Sequence, residues 1–148
     1  MSTPGLKLKA VDSADLEILS ACLQDALLPV LDLHYDREAQ EFLFAANRFR
    51  WEAPAARERV HMAVRVRGVT AVQHKGFSLK QPGKFLSLLA MAFIPAEDGG
   101  LLWLHCAGET QPALRLSVKS LDLLAEDFGE PWPCASVPTH DDSGKGAV

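Results

Sequence analysis

The chain has 148 residues, close to the ordinary size of one domain and long enough to bury roughly 68 to 70% of the surface its unfolded form exposes. Hydrophobic residues make up 48% and charged residues 23%, a balance that excludes disordered, collagen-like and disulfide-scaffold classes. The formal charge of −4 hides an asymmetry: between Arg48 and Lys84 nine Lys and Arg stand against two acids, Glu52 and Glu58, so one basic segment lies inside an otherwise acidic chain.

Cys22, Cys106 and Cys134 are widely spaced and form no C-x-x-C pair, which points to neither a disulfide framework nor a thiolate zinc site and fits a reducing compartment. The N-terminal stretch is polar, and no apolar run approaches the roughly 18 residues of a membrane span. A cytoplasmic location without membrane contact is the expectation.

In chain order, Leu6 and Leu8 alternate with Lys7 and Lys9, the pattern of a short strand with one buried face. Asp12 offers a helix N-cap. Leu16, Leu19, Leu23, Ala26 and Leu27 recur at spacings of three and four, which predicts an amphipathic helix from Asp12 to Leu28, stopped by Pro29. Leu31, Leu33 and Tyr35 alternate as a strand, and DREAQE connects it to a longer one over Glu41 to Glu52. That strand places Phe42, Phe44, Ala46, Arg48 and Arg50 on one face, and Leu43, Ala45, Asn47, Phe49 and Trp51 on the other.

After the APAAR loop, Val60, Met62, Val64 and Val66 point one way, and Arg59, His61, Ala63, Arg65 and Arg67 the other. Gly68 interrupts the alternation as a bulge glycine does, with Val69 to His74 continuing. KGFSLKQPGK reads as a loop. Phe85 to Ile94 is apolar on both faces, as expected of a covered central strand. AEDGG is a turn, followed by strands over Leu101 to Ala107 and Leu114 to Val118. Val118, Leu121, Leu124 and Phe128 then recur every three or four residues, which predicts a short closing helix ended by Gly129 and Pro131. The remainder reads as a mobile tail over 132–148, leaving one domain over 1–131.

The expected fold class is therefore α+β. An N-terminal helix packs on a mainly antiparallel sheet of five to seven strands, forming a roll or partly closed barrel, of which a pleckstrin-homology-like roll with its closing helix is one version. The expected core includes Leu19, Leu23, Val64, Leu88, Phe93 and Leu116.

Familiar catalytic patterns are missing. Counting back from Gly83 for a phosphate loop lands on Ser78, and Phe85 stands where the magnesium-binding hydroxyl belongs. The five histidines form no H-E-x-x-H and no other diagnostic metal spacing. His105 and Cys106 are strand neighbours, so they point to opposite faces. No G-x-S-x-G elbow marks a nucleophile. No metal and no cofactor are expected.

The one constellation with functional promise is arginine-rich. If the two strands around the APAAR loop pair as a hairpin, Arg48, Arg50, Arg59, Arg65 and Arg67 form a cationic field suited to phosphate or carboxylate partners. The competing explanation is that carboxylates of the same chain, or of a second subunit, neutralise this face.

The segments LKLKAVDSADLEILSACLQDALL, NRFRWE, FLSLLAMAFIP and DFGEPWP together resemble a small bacterial family, the domain of unknown function numbered twenty-nine forty-eight. The resemblance runs from Leu6 to about His140, with NRFRWE at Asn47 to Glu52 its most distinctive piece. It implies no activity, cofactor or catalytic residue.

The leading expectation is a non-enzymatic binding or adaptor domain that meets an anionic partner or a second copy of itself as a homodimer. Nucleic-acid binding is the alternative, with Phe42, Phe44, Phe49 and Trp51 as stacking platforms beside the arginines. An enzyme whose site is scattered along the chain is the third.

Overall fold

A computed structural model describes residues 5–81, 83–134 and 137–138. Among these residues, ten strands and one α-helix follow in the order β1 (Lys7–Ala10), α1 (Ser13–Cys22), β2 (Leu27–Pro29), β3 (His34–Asp36), β4 (Glu41–Phe49), β5 (Glu58–Arg67), β6 (Val69–Lys75), β7 (Phe85–Ala96), β8 (Gly99–Cys106), β9 (Ala113–Val118) and β10 (Leu123–Pro133). The strands join one open sheet, ordered β1-β10-β5-β4-β2-β7-β8-β9-β6, with β3 on β4, and every pairing is antiparallel. The α+β class with a mainly antiparallel sheet is therefore the observed one, with ten strands in place of the expected five to seven and an open sheet in place of a partly closed barrel.

The three-residue β2 joins the two halves of this sheet, since Leu27 pairs with Asn47 of β4 on one side and with Ser87 of β7 on the other. The chain crosses between the halves again at Gly68, which lies between β5 and β6 with φ of +72°. A side chain there would be strained in that left-handed conformation. Cross-bonds hold the corner: Lys119 N donates to Gly68 O at 2.9 Å, Arg67 N to Asp122 O at 2.9 Å, and Val69 N to Gln40 O at 2.8 Å. Both halves turn one face inward. Phe42, Phe44, Met62, Val64 and Val66 from the first meet Leu86, Leu88, Leu102, Leu104, Leu114 and Leu116 from the second in a single core, so the opposite face of each half points away from it.

Three elements differ from their sequence patterns, the simplest being the strand expected from Leu31 to Tyr35, which is a 3-10 turn over Val30–Asp32 followed by β3. The helix starts where expected, capped by Asp12 Oδ1 accepting from Asp15 N at 2.8 Å, but it stops at Cys22 rather than Leu28. The next backbone groups are taken by β7: Asp25 N donates to Leu88 O at 2.8 Å and Leu88 N to Ala26 O at 2.9 Å. Leu23, Ala26 and Leu28 still enter the core, so their burial imitates a helical stripe while their hydrogen bonds run to the sheet.

The closing helix is replaced by β10. Leu121, Leu123 and Ala125 are buried at every second position, and the strand pairs with Val66 and Val64 of β5 on one side and with Leu8 and Ala10 of β1 on the other. A helix here would leave those two strands without partners along their facing edges. Gly129, expected as a helix stop, instead lies in a bulge where the register shifts between Phe128 and Trp132. With this strand in its place, the helix that would complete a pleckstrin-homology-like roll is absent from the described residues. Trp132 and Pro133, expected in the tail, belong to β10; residues 135, 136 and 139–148 lie outside the described residues.

Five of the six expected core residues are buried: Leu19, Leu23, Val64, Leu88 and Leu116 are at most 1% exposed, while Phe93 packs on the core only in part. Leu→Ala at position 19, 88 or 116 should each lower stability by about 2 to 5 kcal/mol, through lost burial and the cavity left behind. Urea denaturation checks this; unmoved midpoints for two of the three would contradict the assignment of inward faces.

Candidate anion-binding faces

The five arginines divide between two environments. Along β4, Phe42, Phe44 and Ala46 point into the core, and Arg48 follows in the same phase. It is fully buried, and every N–H of its guanidinium is used. Nε and Nη2 donate to Asp127 Oδ1 and Oδ2 at 2.8 and 2.6 Å, Nη1 and Nη2 to Glu52 Oε1 and Oε2 at 2.9 and 2.8 Å, and Nη1 also to Phe49 O at 3.2 Å. Asp127, whose side chain is 4% exposed, also accepts from Leu6 N at 2.8 Å. One buried cation thus ties β4, β10, the approach to β1 and the turn after β4.

Titration behaviour follows from this geometry. Burial pushes the Arg48 guanidinium toward its neutral form, but the hydrogen bonds to Glu52 and Asp127 outweigh that and hold it charged more firmly than an ordinary arginine. The hydrogen bonds from Arg48 hold Glu52 below its ordinary value of 4.5, against a smaller opposing effect of burial. Cys22 is pushed up to about 11 by burial, with Arg48 opposing, and Cys106 to about 11 by burial alone. Neither thiol is activated as a nucleophile.

Arg50 is 8% exposed. Its Nη1 donates to Glu58 Oε1 at 2.5 Å, and Nε lies 3.7 Å from Glu52. These two arginines therefore close the turn between β4 and β5 and are not part of an open face. The other three lie on the outer face of β5, as the alternation predicts. Arg59 donates to Asn47 O at 2.8 Å. Arg65 and Arg67 remain about half exposed, with only long contacts of 3.9 Å to Glu41 and Asp122. Of the aromatic residues expected beside them, Phe42, Phe44 and Phe49 are buried, and Trp51 packs on Phe49 and donates to Gln24 O at 3.2 Å. The aromatic contacts on this face come instead from His61, whose ring centroid lies 5.2 Å from Phe128 and 4.6 Å from Trp132.

A second cationic face lies on the outer side of β8, β9 and β6, where sequence reasoning placed nothing. Trp103, Arg115 and Gln73 form one row across these strands, and His105, Ala113 and Lys75 the next. The Arg115 guanidinium carbon lies 5.4 Å from the Trp103 ring centroid, and Nη2 donates to Gln73 Oε1. His105 stacks parallel to Trp103 at 5.4 Å. A groove of about 510 Å³ opens here, lined by Gln73, His74, Lys75, Trp103, Ala113 and Arg115. Among the described residues, no carboxylate lies within ion-pair distance of Lys75 or Arg115. Lys75 belongs to the basic segment, but Arg115 lies forty positions further on, and only the β6 to β9 pairing unites them. The alternation of Trp103 with His105 and of Arg115 with Ser117 was the available signal.

Among the described residues, no group of three His, Cys, Asp or Glu side chains is placed to hold a metal ion, and no helix is long and apolar enough to cross a membrane. A family model described as a protein of unknown function (DUF2948) matches residues 6–140. No curated protein and no solved structure matches the chain.

Replacing Arg48 by Leu strands the buried Asp127 carboxylate, and Asp127→Asn removes its counter-charge; each should cost about 3 to 5 kcal/mol, read from denaturant midpoints. Because the folded-state value of Glu52 is depressed, its stabilising contribution is present above its ordinary value of 4.5 and is lost as pH falls through the folded value. Stability should fall with acidification below about 4.5, and Glu52→Gln should flatten that part of the profile. An unchanged profile in the variant would remove Glu52 from the explanation.

Proposed function

The chain belongs to this family of proteins of unknown function, and from its geometry we propose that it is a non-enzymatic, cytoplasmic binding domain for an anionic partner. The observation that supports this most is the pair of cations, Lys75 and Arg115, beside a groove in which no carboxylate of the described residues neutralises them. Arg115 already lies beside Trp103 and Gln73, neighbours that narrow the rotamers it must give up when an anion arrives.

Arg59, Arg65 and Arg67 form a second, weaker region of the same reading. Exposed contacts at 3.9 Å contribute only about 0 to 1 kcal/mol each, so the carboxylates or phosphates of a partner can replace them. Nucleic acid is the less favoured partner, because Phe42, Phe44 and Phe49 are buried and unavailable to stack on bases.

Self-association is a second reading, favoured by Phe85, Leu89 and Ile94, which remain 49, 40 and 55% exposed along β7. Apolar surface of this kind is the usual material of a symmetric interface. Sedimentation at low and high salt should show a dimer that Ile94→Lys dissociates; a monomer at both salts would remove this reading.

The anionic reading is tested by chromatography on a negatively charged resin. The double variant K75Q/R115Q should elute at clearly lower salt than the unaltered protein, and R65Q/R67Q at slightly lower salt, with little change in thermal midpoint for either because the charges removed are at the surface. Elution of K75Q/R115Q at the same salt as the unaltered protein would overturn the proposal.

A further inference from the structure

The chemistry of the β6–β8–β9 groove narrows the kind of anion it takes. Two cationic side chains reach it, and each presents a different donor geometry. The guanidinium of Arg115 is a planar fork, with one N–H occupied by Gln73 Oε1 and its carbon 5.4 Å from the Trp103 ring centroid, which leaves further donors for paired oxygens. Lys75 is a point charge with three donors on the neighbouring row.

The backbone that follows Lys75 is held closely. Gly76 has φ of +79° and is pressed so closely against the loop between β8 and β9 that an added Cβ would lie 2.7 Å from Thr110 O and 2.8 Å from Pro112 Cα. Thr110 Oγ1 donates to Gly76 O at 2.7 Å. Between His105 and Lys75 the row is completed by Ala113, 2% exposed, whose small side chain makes the floor of the depression. Trp103 contributes an apolar wall.

We infer that this groove is a binding site for a small phosphomonoester, its phosphate held between Lys75 and the fork of Arg115 and its carbon portion lying over Ala113 against Trp103. The inference rests on the anion-binding reading and adds to it the class of ligand. A phosphomonoester carries about −1.5 to −2 charges near neutral pH, with three acceptor oxygens. That matches two cations and a forked donor, whereas a carboxylate leaves one positive charge uncompensated. A groove of about 510 Å³ falls in the size range of small-molecule sites.

Phenyl phosphate is the probe, compared by calorimetry with inorganic phosphate, benzoate and phenol on the full chain. Binding should be saturable and about tenfold or more tighter for phenyl phosphate than for benzoate or inorganic phosphate, with none for phenol. R115Q should lose most of it, R115K should lose a substantial part because a point charge replaces the fork, and W103F should bring phenyl phosphate close to inorganic phosphate. Binding of benzoate as tightly as phenyl phosphate would overturn the inference, as would phenyl phosphate binding that survives in K75Q/R115Q. If phenyl phosphate does not bind while resin retention still depends on Lys75 and Arg115, the phosphomonoester site falls and the broader anion-binding reading stands. If retention is also independent of those residues, both fall. Should R115Q fail to fold, the order of probe affinities on the unaltered protein, together with the loss of phenyl phosphate binding in the single variant K75Q, decides between these outcomes.

Discussion

Arg48 stands where the apolar phase of β4 calls for another Phe or Ala, and much of the first half of the sheet is organised around satisfying it. A bare guanidinium at that depth would be prohibitively costly. That cost is offset by two carboxylates and a carbonyl converging on all five N–H groups. To supply Asp127, β10 must run between β1 and β5 in a register that turns an acidic side chain inward, opposite Met62. To supply Glu52, the chain must fold back at once after Phe49, and Arg50 with Glu58 secures that turn. One buried charge thus constrains strand register, turn geometry and the docking of the N-terminal strand, where Asp127 also accepts from Leu6 N.

The same cluster explains why charge counting along the chain does not tell which cations are exposed. The basic segment is real, but its arginines are used differently according to depth. Arg48 and Arg50 are structural, Arg65 and Arg67 remain at the surface with loose partners, and Lys75, at the end of the last strand of the sheet, has no carboxylate of the described residues within ion-pair distance. Availability of a cation depends on what lies across the sheet from it. Arg115 illustrates the point: it belongs to the acidic remainder of the chain, yet it stands beside Gln73 and Trp103 with no acid of the described residues in reach.

The two outer faces have different characters for the same reason. On the first half, Lys7 lies opposite Glu126, and Arg67 opposite Glu41, so cross-strand pairs of opposite charge stabilise the sheet in the ordinary way. On the second half, the outward rows combine aromatic, small and basic side chains without acids between them. The cations there meet aromatic and amide side chains across the sheet, with no carboxylate of the described residues within ion-pair distance.

By itself the amino-acid sequence determined the α+β class, the N-cap of the helix at Asp12, most strands of the middle of the chain and the division of β5 into an apolar and a basic face. These rest on local periodicity, which the backbone enforces residue by residue. The end of the helix, the identity of β10 and the fate of Arg48 were decided only by the tertiary structure. At Leu23 to Leu28 and at Leu121 to Phe128 the apolar spacing satisfies both a helix and a strand, and the partner strands waiting on either side, β4 and β7 in one case and β1 and β5 in the other, broke the tie through their unpaired backbone groups. An arginine reads as surface in any sequence, because its burial depends on carboxylates brought from elsewhere; Glu52 is four residues from Arg48, but Asp127 is 79 away. The groove of Lys75, Trp103 and Arg115 was illegible for the same cause, since three strands must lie side by side before its residues are neighbours.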